Sequence, residues 1–269
     1  MSMGDEEVSA AVQTEPYLSL LTTLADQADP IALRYFRSHE LRVSEKPGKG
    51  PVTQGDVEIE RMARHTILES GLGLGVCGEE FGSEGDSRKR LIIDPIDATA
   101  NYLRGVPVFG TLLAVEVDDE IVAGLVSAPA LRMRWWAVRG AGAFCDGRRL
   151  AVSAIASLEQ SQLFHSGLDG LRRLDAFPGL AALLQCTKRQ RGYGDFFQHM
   201  LVAEGAGEVA VDLQLEPWDI AALQVIVEEA GGRATTLDGR RTLYGGSLVT
   251  SNGRVHDAVL ATLNVKTVA

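Results

Sequence analysis

The sequence predicts an α/β fold of the layered α+β kind, antiparallel-rich in its first half, on three observations. Helical periodicity runs through residues 18–37 and again from Asp56. Short apolar runs joined by tight turns fill residues 91–153, the mark of antiparallel strands. Helices and strands then mix from about residue 160 to the end. At 269 residues, 45% hydrophobic and 23% charged, the chain has an ordinary globular balance and room for two sub-domains sharing a core.

Each element has its own warrant. Residues 1–13 read as a frayed tail, acidic and without the basic-then-apolar pattern of a signal peptide. The stretch 18–37 lacks glycine and reads as a helix that Pro30 interrupts or kinks. SEKPGKGPVTQGD (44–56) is rich in Gly, Pro and Lys, as a turn or hairpin would be. From Asp56 the apolar residues Val57, Ile59, Met62, Ala63, Ile67 and Leu68 predict a helix, ended by Gly71, Gly73 and Gly75. LIIDP (91–95) is a buried strand closed by Asp-Pro, and 111–130 are two strands about a turn at Asp118-Asp119. RWWAVRGAGAFCDGRRLAVS (134–153) is a strand, a Gly-rich turn and a further strand, with Trp135 and Trp136 on opposite faces. A strand near Leu163, a helix over 170–184, a helix from Asp195, a strand over 209–213, a helix over 217–230 and a strand over 247–250 complete the pattern. The division expected is an N-terminal sub-domain over 14–150 and a C-terminal one over 151–265.

Charge excludes several function classes. Lys and Arg number 26 against 36 Asp and Glu, a net charge of −10 that repels nucleic acid and anionic lipid. No apolar run approaches the roughly 20 residues of a membrane span. Cys77, Cys145 and Cys186 are scattered and odd in number, which suggests neither a disulfide framework nor zinc and fits a reducing cytoplasm.

Five acids, Asp56, Glu79, Asp94, Asp97 and Asp219, lie where elements begin or end. In Asp94-Pro95-Ile96-Asp97 a strand delivers the first carboxylate and a turn the second. Two carboxylates so close repel unless a cation sits between them, and hard oxygen donors suit Mg²⁺ or Mn²⁺. Ala98-Thr99-Ala100-Asn101 then looks like the first turn of a helix, whose N–H groups and Thr99 hydroxyl offer an anion site. Gly78-Glu79-Glu80-Phe81-Gly82 and Pro217-Trp218-Asp219-Ile220 are further candidates. Plainer roles stay open for each: helix capping, an exposed acidic loop, or charge complementing a helix dipole.

The ordered run PVTQGD (51–56), GEEFG (78–82), DPIDATANY (94–102) and PWDIAALQVIVEEAGG (217–232) resembles the inositol monophosphatase superfamily of lithium-sensitive, magnesium-dependent phosphomonoesterases. The likeness covers nearly the whole chain from about residue 17. VSAPALRMRWWAVRGAGAF and RGYGDFFQHMLVAEGAGEVAVD look most like its histidinol-phosphate phosphatase branch. Two positions depart from the superfamily pattern: Ala98 stands where glycine is usual, and Gly55 where alanine is common. If position 98 needs positive φ, Ala costs about 1 kcal/mol or more there.

The resemblance implies alternating layers of helices and sheets, and two or three Mg²⁺ ions for which Mn²⁺ can substitute. Glu79, Asp94 and the Ile96 carbonyl would hold one ion, and Asp94, Asp97 and Asp219 a second. Asp56, Thr99 and Glu79 would orient and deprotonate the attacking water. Ala98 and Thr99 would cradle phosphate, while Arg191, Asp195, Asp212 and Asp219 would meet the organic half. L-histidinol phosphate is the substrate implied, in histidine biosynthesis. Inositol 1-phosphate or another small phosphorylated metabolite is the alternative, and a non-catalytic metal- or metabolite-binding relative a remoter one. A cytoplasmic homodimer without nucleic-acid or membrane partners completes the expectation.

Overall fold

A computed structural model of the chain describes residues 3–46, 50–167 and 177–263, with only the backbone described for 3–15 and 177. The first helix, α1 (Met3–Tyr35), runs past both Pro16 and Pro30. The tail expected over residues 1–13 falls on residues 1–2, outside the described ones, and on residues drawn as the backbone of α1. The Gly-Pro-Lys segment is a hairpin, β1 (Val43–Lys46) paired with β2 (Gly50–Thr53). It leads into α2 (Gln54–Ser70), capped by Thr53 and ended by Gly71 in the left-handed region at φ 67°.

The next stretch builds the larger sheet. Its members are β3 (Gly75–Gly78), β4 (Gly82–Glu84), β5 (Lys89–Asp97), β6 (Gly110–Val117), β7 (Glu120–Ala128), β8 (Met133–Val138), β9 (Gly142–Cys145) and β10 (Arg148–Arg149). The one-turn helix α3 (Thr99–Leu103) sits between β5 and β6. The order across the sheet is β10-β9-β8-β7-β6-β5-β3-β4, antiparallel except for the β3–β5 pair. Asp118 and Asp119 turn β6 into β7 with φ 50° and 65°, the left-handed pair that matches the twist of a two-residue hairpin.

Past a 3₁₀ turn (Leu158–Gln160) the elements alternate: β11 (Gln162–His165), α4 (Phe177–Cys186), β12 (Arg189–Gly192), α5 (Asp195–Ala203), β13 (Val209–Leu213), α6 (Pro217–Glu229), β14 (Arg233–Thr235), β15 (Ser247–Ser251) and α7 (His256–Leu263). The second sheet runs β12-β11-β13-β15-β14, parallel across β12-β11-β13 and antiparallel beyond. Sequence reading missed β3, β4, β12, β14 and α7. The residues of β12, Arg-Gln-Arg-Gly, offer no apolar pattern, and only pairing with β11 makes them a strand. The helix expected over 170–184 is seen from Phe177 onward, its earlier residues lying outside the described ones.

Apolar alternation sets the layers. Leu91 and Ile93 face α1 and α2, while Ile92 faces α6. Trp135 lies fully buried on the α6 side and Trp136 packs on the α1 side, on opposite faces as adjacent strand residues must be. α5 packs Val202 against Phe164 and Ala210 of the second sheet, whose far face is closed by α4 and α7. The layers thus alternate helix, sheet, helix, sheet, helix, with α5 and α6 in the middle.

Close approach of α6 to the first sheet depends on Gly124 in β7. A Cβ there would lie 2.5 Å from Val225 Cγ1 and 3.1 Å from the Ala222 carbonyl. Gly124→Ala is therefore expected to destabilise the fold by about 1–3 kcal/mol through overpacking. An unchanged urea midpoint would show that α6 yields without cost.

Candidate active site

The acidic site begins with an irregularity in β5. Asp94 pairs with Leu112 and Asp97 with Gly110, so β5 gains one residue over β6 between them. Side chains alternate along a strand, and residues three apart would point to opposite faces. The extra residue is a β-bulge that returns Asp97 to the face of Asp94. Asp97 thus ends the strand through the bulge; it does not follow on the separate turn that the sequence suggested. The bulge is pinned by Ile96 N donating to Asp94 Oδ1 at 3.0 Å and the Thr111 hydroxyl donating to the Pro95 carbonyl at 2.8 Å.

Two helix starts and one strand end supply the other acids. Asp219 lies in the first turn of α6, where Glu216 N donates to its Oδ2 at 2.7 Å. Asp56 lies in the first turn of α2, its Oδ2 taking both the Thr53 N–H (2.8 Å) and the Thr53 hydroxyl (2.6 Å). The capping role and the site role are therefore not alternatives: in each acid one oxygen serves the backbone. Glu79 follows β3, and its N–H donates to the Ile93 carbonyl at 3.3 Å, which sets it beside Asp94. Among the described residues, carboxylate oxygens of Asp94, Asp97 and Asp219 lie within 4.8 Å of one another.

Burial and mutual repulsion hold these groups toward their neutral forms. Burial, then the charges of Glu79, Asp97 and Asp219, raises Asp94 well above the ordinary carboxylate range. Burial, then Asp195 and Asp219, does the same for Asp97. Burial pushes Asp56 and Asp219 up to about 7. Such a cluster of oxygen donors fits a hard divalent cation, which replaces repulsion with attraction.

Beside it opens a cleft of about 280 Å³, lined among the described residues by Asp97, Asp195, Phe196, His199, Asp212, Leu213, Gln214, Leu215, Asp219 and Leu223, none of them Lys or Arg. Asp195 opens α5 at φ 51°, is half-buried, and accepts no hydrogen bond from the described residues. Burial and then the Asp212 charge push it up to about 6. Asp212 is held by Leu213 N (2.8 Å) and Gln198 Nε2 (3.0 Å), and by the Ser166 hydroxyl and the Asp195 N–H. Phe196 N donates to Asp97 Oδ2 at 2.8 Å, tying the start of α5 to the first sheet. Arg191 is not brought here: it is exposed on the edge strand β12, with its guanidinium on the neighbouring Gln190 carbonyl. His199, which the motifs gave no role, lines the cleft, fully buried, with Nδ1 2.8 Å from the Thr250 hydroxyl. Its i+4 spacing from Asp195 on one helix face was the available signal.

Ala98 stands before α3 at φ 65°, ψ 45°, the left-handed region, so the condition attached to it is met. Thr99 donates its hydroxyl to the Ile96 carbonyl at 3.0 Å. At Gly55, an added Cβ would lie 3.0 Å from Ile96 Cδ1, tight enough that the bulge side chain would have to shift.

Comparison with known proteins adds to this geometry. The sequence model of the inositol monophosphatase family matches residues 13–268. The histidinol-phosphatase of Mycobacterium tuberculosis is 45% identical, the match covering 92% of this chain and 97% of that protein. The histidinol-phosphatase of Streptomyces coelicolor is 41% identical over 92% of this chain and 96% of its own. Among solved structures, the extragenic suppressor protein suhB from Bartonella henselae superposes with a TM-score of 0.86 at 27% identity, covering 93% of this chain and 98% of that one.

Two outcomes follow from the site. A carboxyl whose pKa is raised by folding contributes stability that is full below about 4 and is lost as pH rises through its folded value. His199 and His256, lowered by burial to about 3 and about 4, oppose this below pH 6.5 because only the unfolded chain protonates them. Between pH 6.5 and 8 each unfolded histidine gives up only its remaining half proton, a small opposing effect beside four buried carboxyls whose folded pKa values are about 7 or raised well above the ordinary range. The metal-free protein should therefore melt at lower temperature at pH 8 than at pH 6.5, and a divalent cation such as Mg²⁺ should abolish the fall. A cation-insensitive, flat melting profile would contradict the site. Separately, Ala98→Gly removes the left-handed strain and loses one buried methyl, so it should stabilise the fold by up to about 1 kcal/mol in urea titration. A loss of stability would mean that the Ala98 methyl packing outweighs the strain.

Proposed function

The chain belongs to the inositol monophosphatase family, and from that premise we propose that this phosphoric monoester hydrolase acts on L-histidinol phosphate, with Mg²⁺ held by its carboxylate cluster. The observation that carries the substrate is Asp195: a half-buried carboxylate that accepts no hydrogen bond from the described residues, in a cleft where none of the described lining residues is Lys or Arg. Histidinol phosphate brings an ammonium and an imidazole to that carboxylate. The relatives named histidinol-phosphatase, matched along nearly their whole length, support the same reading.

In this reading Glu79, Asp94, Asp97, Asp219 and the Ile96 carbonyl hold the cations. Bound there, they would offset the dianionic phosphate, acidify a water and stabilise the leaving alkoxide. Thr99 sits on the Ile96 carbonyl, placed to orient the water. Asp56 keeps Oδ2 on Thr53, which leaves Oδ1 for the same task. Glu79 accepts the proton. The amides at Ala98 and Thr99 take phosphate oxygens at the start of α3. Asp195 receives the cationic head. Asp212, filled by four protein donors, holds α5 in place and meets the substrate only at its edge. Arg191 would need to swing from its exposed position to take part. Mn²⁺ in place of Mg²⁺, inhibition by Li⁺, a cytoplasmic setting and a homodimer belong to the same reading.

A charge-assisted hydrogen bond contributes roughly 1.5–3 kcal/mol net, or on the order of 10- to 100-fold in kcat/KM. Asp195→Asn should lower kcat/KM for histidinol phosphate by that factor and leave a generic aryl phosphate nearly unchanged. Wild type with saturating Mg²⁺ should favour histidinol phosphate over inositol 1-phosphate. If inositol 1-phosphate is turned over as well or better, the substrate assignment fails and the family assignment stands.

A further inference from the structure

The turn that carries Glu79 is built around a charge buried elsewhere. Glu60, on α2, is fully buried, although no part of the mechanism above uses it. Its Oε2 accepts the Glu80 N–H at 2.7 Å and its Oε1 the Phe81 N–H at 3.2 Å. With Glu79 N on the Ile93 carbonyl, three consecutive amides from residue 79 are thus pinned. The approach is so close that a Cβ on Gly78 would lie 2.2 Å from Glu60 Oε1, which is why glycine stands there.

Arg64 completes the arrangement. Its Nε and Nη2 both reach Glu60 Oε1, at 3.0 and 2.8 Å, and balance the buried charge. The same guanidinium donates to the Gly82 carbonyl at 2.6 Å and to Glu84 Oε2 at 3.2 Å, and lies 5.7 Å from the Phe81 ring centre. Asp56, Glu60 and Arg64 are four residues apart on one helix face. The first reaches the acidic site, and the other two grip the turn that follows Glu79 at Glu80, Phe81 and Gly82.

We propose that Glu60 and Arg64 are positioning residues that set the cation affinity of the site by fixing Glu79. The inference rests on the reading that Glu79 is a ligand. Groups that orient a ligand without touching the ion commonly change affinity by 10- to 100-fold. Glu60→Gln leaves the volume unchanged but sets an uncharged amide against Arg64 and the two backbone N–H groups.

Mn²⁺ binding by isothermal titration calorimetry, without substrate, tests this alongside melting temperature. Glu60→Gln should weaken Mn²⁺ binding about tenfold, and Arg64→Lys, which keeps the charge but loses the fork, should shift it in the same direction. Ile67→Val, which trims the core face of α2 away from the turn, should lower the melting temperature and leave Mn²⁺ affinity in place. If Glu60→Gln does not fold, Arg64→Lys decides. Wild-type affinity in both variants, or an equal loss in Ile67→Val, overturns the proposal. Glu79→Gln separates the two levels. If it weakens binding and the clamp variants do not, only the clamp is wrong; if it too is silent, the Glu79 assignment falls and takes the clamp with it.

Discussion

Like charges brought together out of water are the constraint on which the rest of this structure depends. Asp56 and Asp94 are 1% and 2% exposed, Asp97 is 9%, and Asp219 faces the same point. Left alone, such groups either protonate or push apart. The fold prevents the second outcome by fixing each carboxylate on a backbone N–H. Asp94 bonds Ile96 N, Asp97 bonds Phe196 N, and Asp56 and Asp219 close capping boxes with Thr53 and Glu216. What remains is a rigid set of oxygens whose repulsion only protonation or a cation relieves.

Helix starts do the fixing. The first turns of α2, α3, α5 and α6 carry Asp56, Thr99, Asp195 and Asp219. The positive end of a helix dipole favours an acid or a phosphate placed there. The same geometry therefore steadies the carboxylates and faces a phosphate. The middle helical layer makes the convergence possible, because α6 packs against the first sheet while its first turn reaches the acids at the end of β5. Ala98 shows the strictness of this placement. It holds a left-handed conformation, unusual for alanine, at the point where β5 passes into α3.

Much of the fold was legible because its signals are local. The Gly71 stop, the Asp118-Asp119 turn and the apolar runs of β5 to β8 each follow from a few neighbouring residues. β12 and β4 were not legible, since their residues become strands only by pairing with a neighbour distant in sequence. Arg191 illustrates the limit from the other side: motif order named it, yet its edge strand turns it to solvent. The buried Glu60 carried no motif, and His199, though inside the run over 191–212, was given no role, because each acts through partners many residues away.

By itself, then, the sequence determined the acids, their order along the chain, the layered fold class and the family to which those motifs belong. Residue type and short spacing suffice for these, because caps, turns and strand periodicity are properties of neighbouring residues. The tertiary structure alone decided that Asp97 returns to the face of Asp94 through a bulge and that Asp195 accepts no hydrogen bond from the described residues. It also decided that Ala98 is left-handed and that Glu60 accepts the amides of the turn after Glu79. Each of these depends on register between strands or on contact between layers, and the energy that selects register is packing across the core, which a linear pattern does not contain.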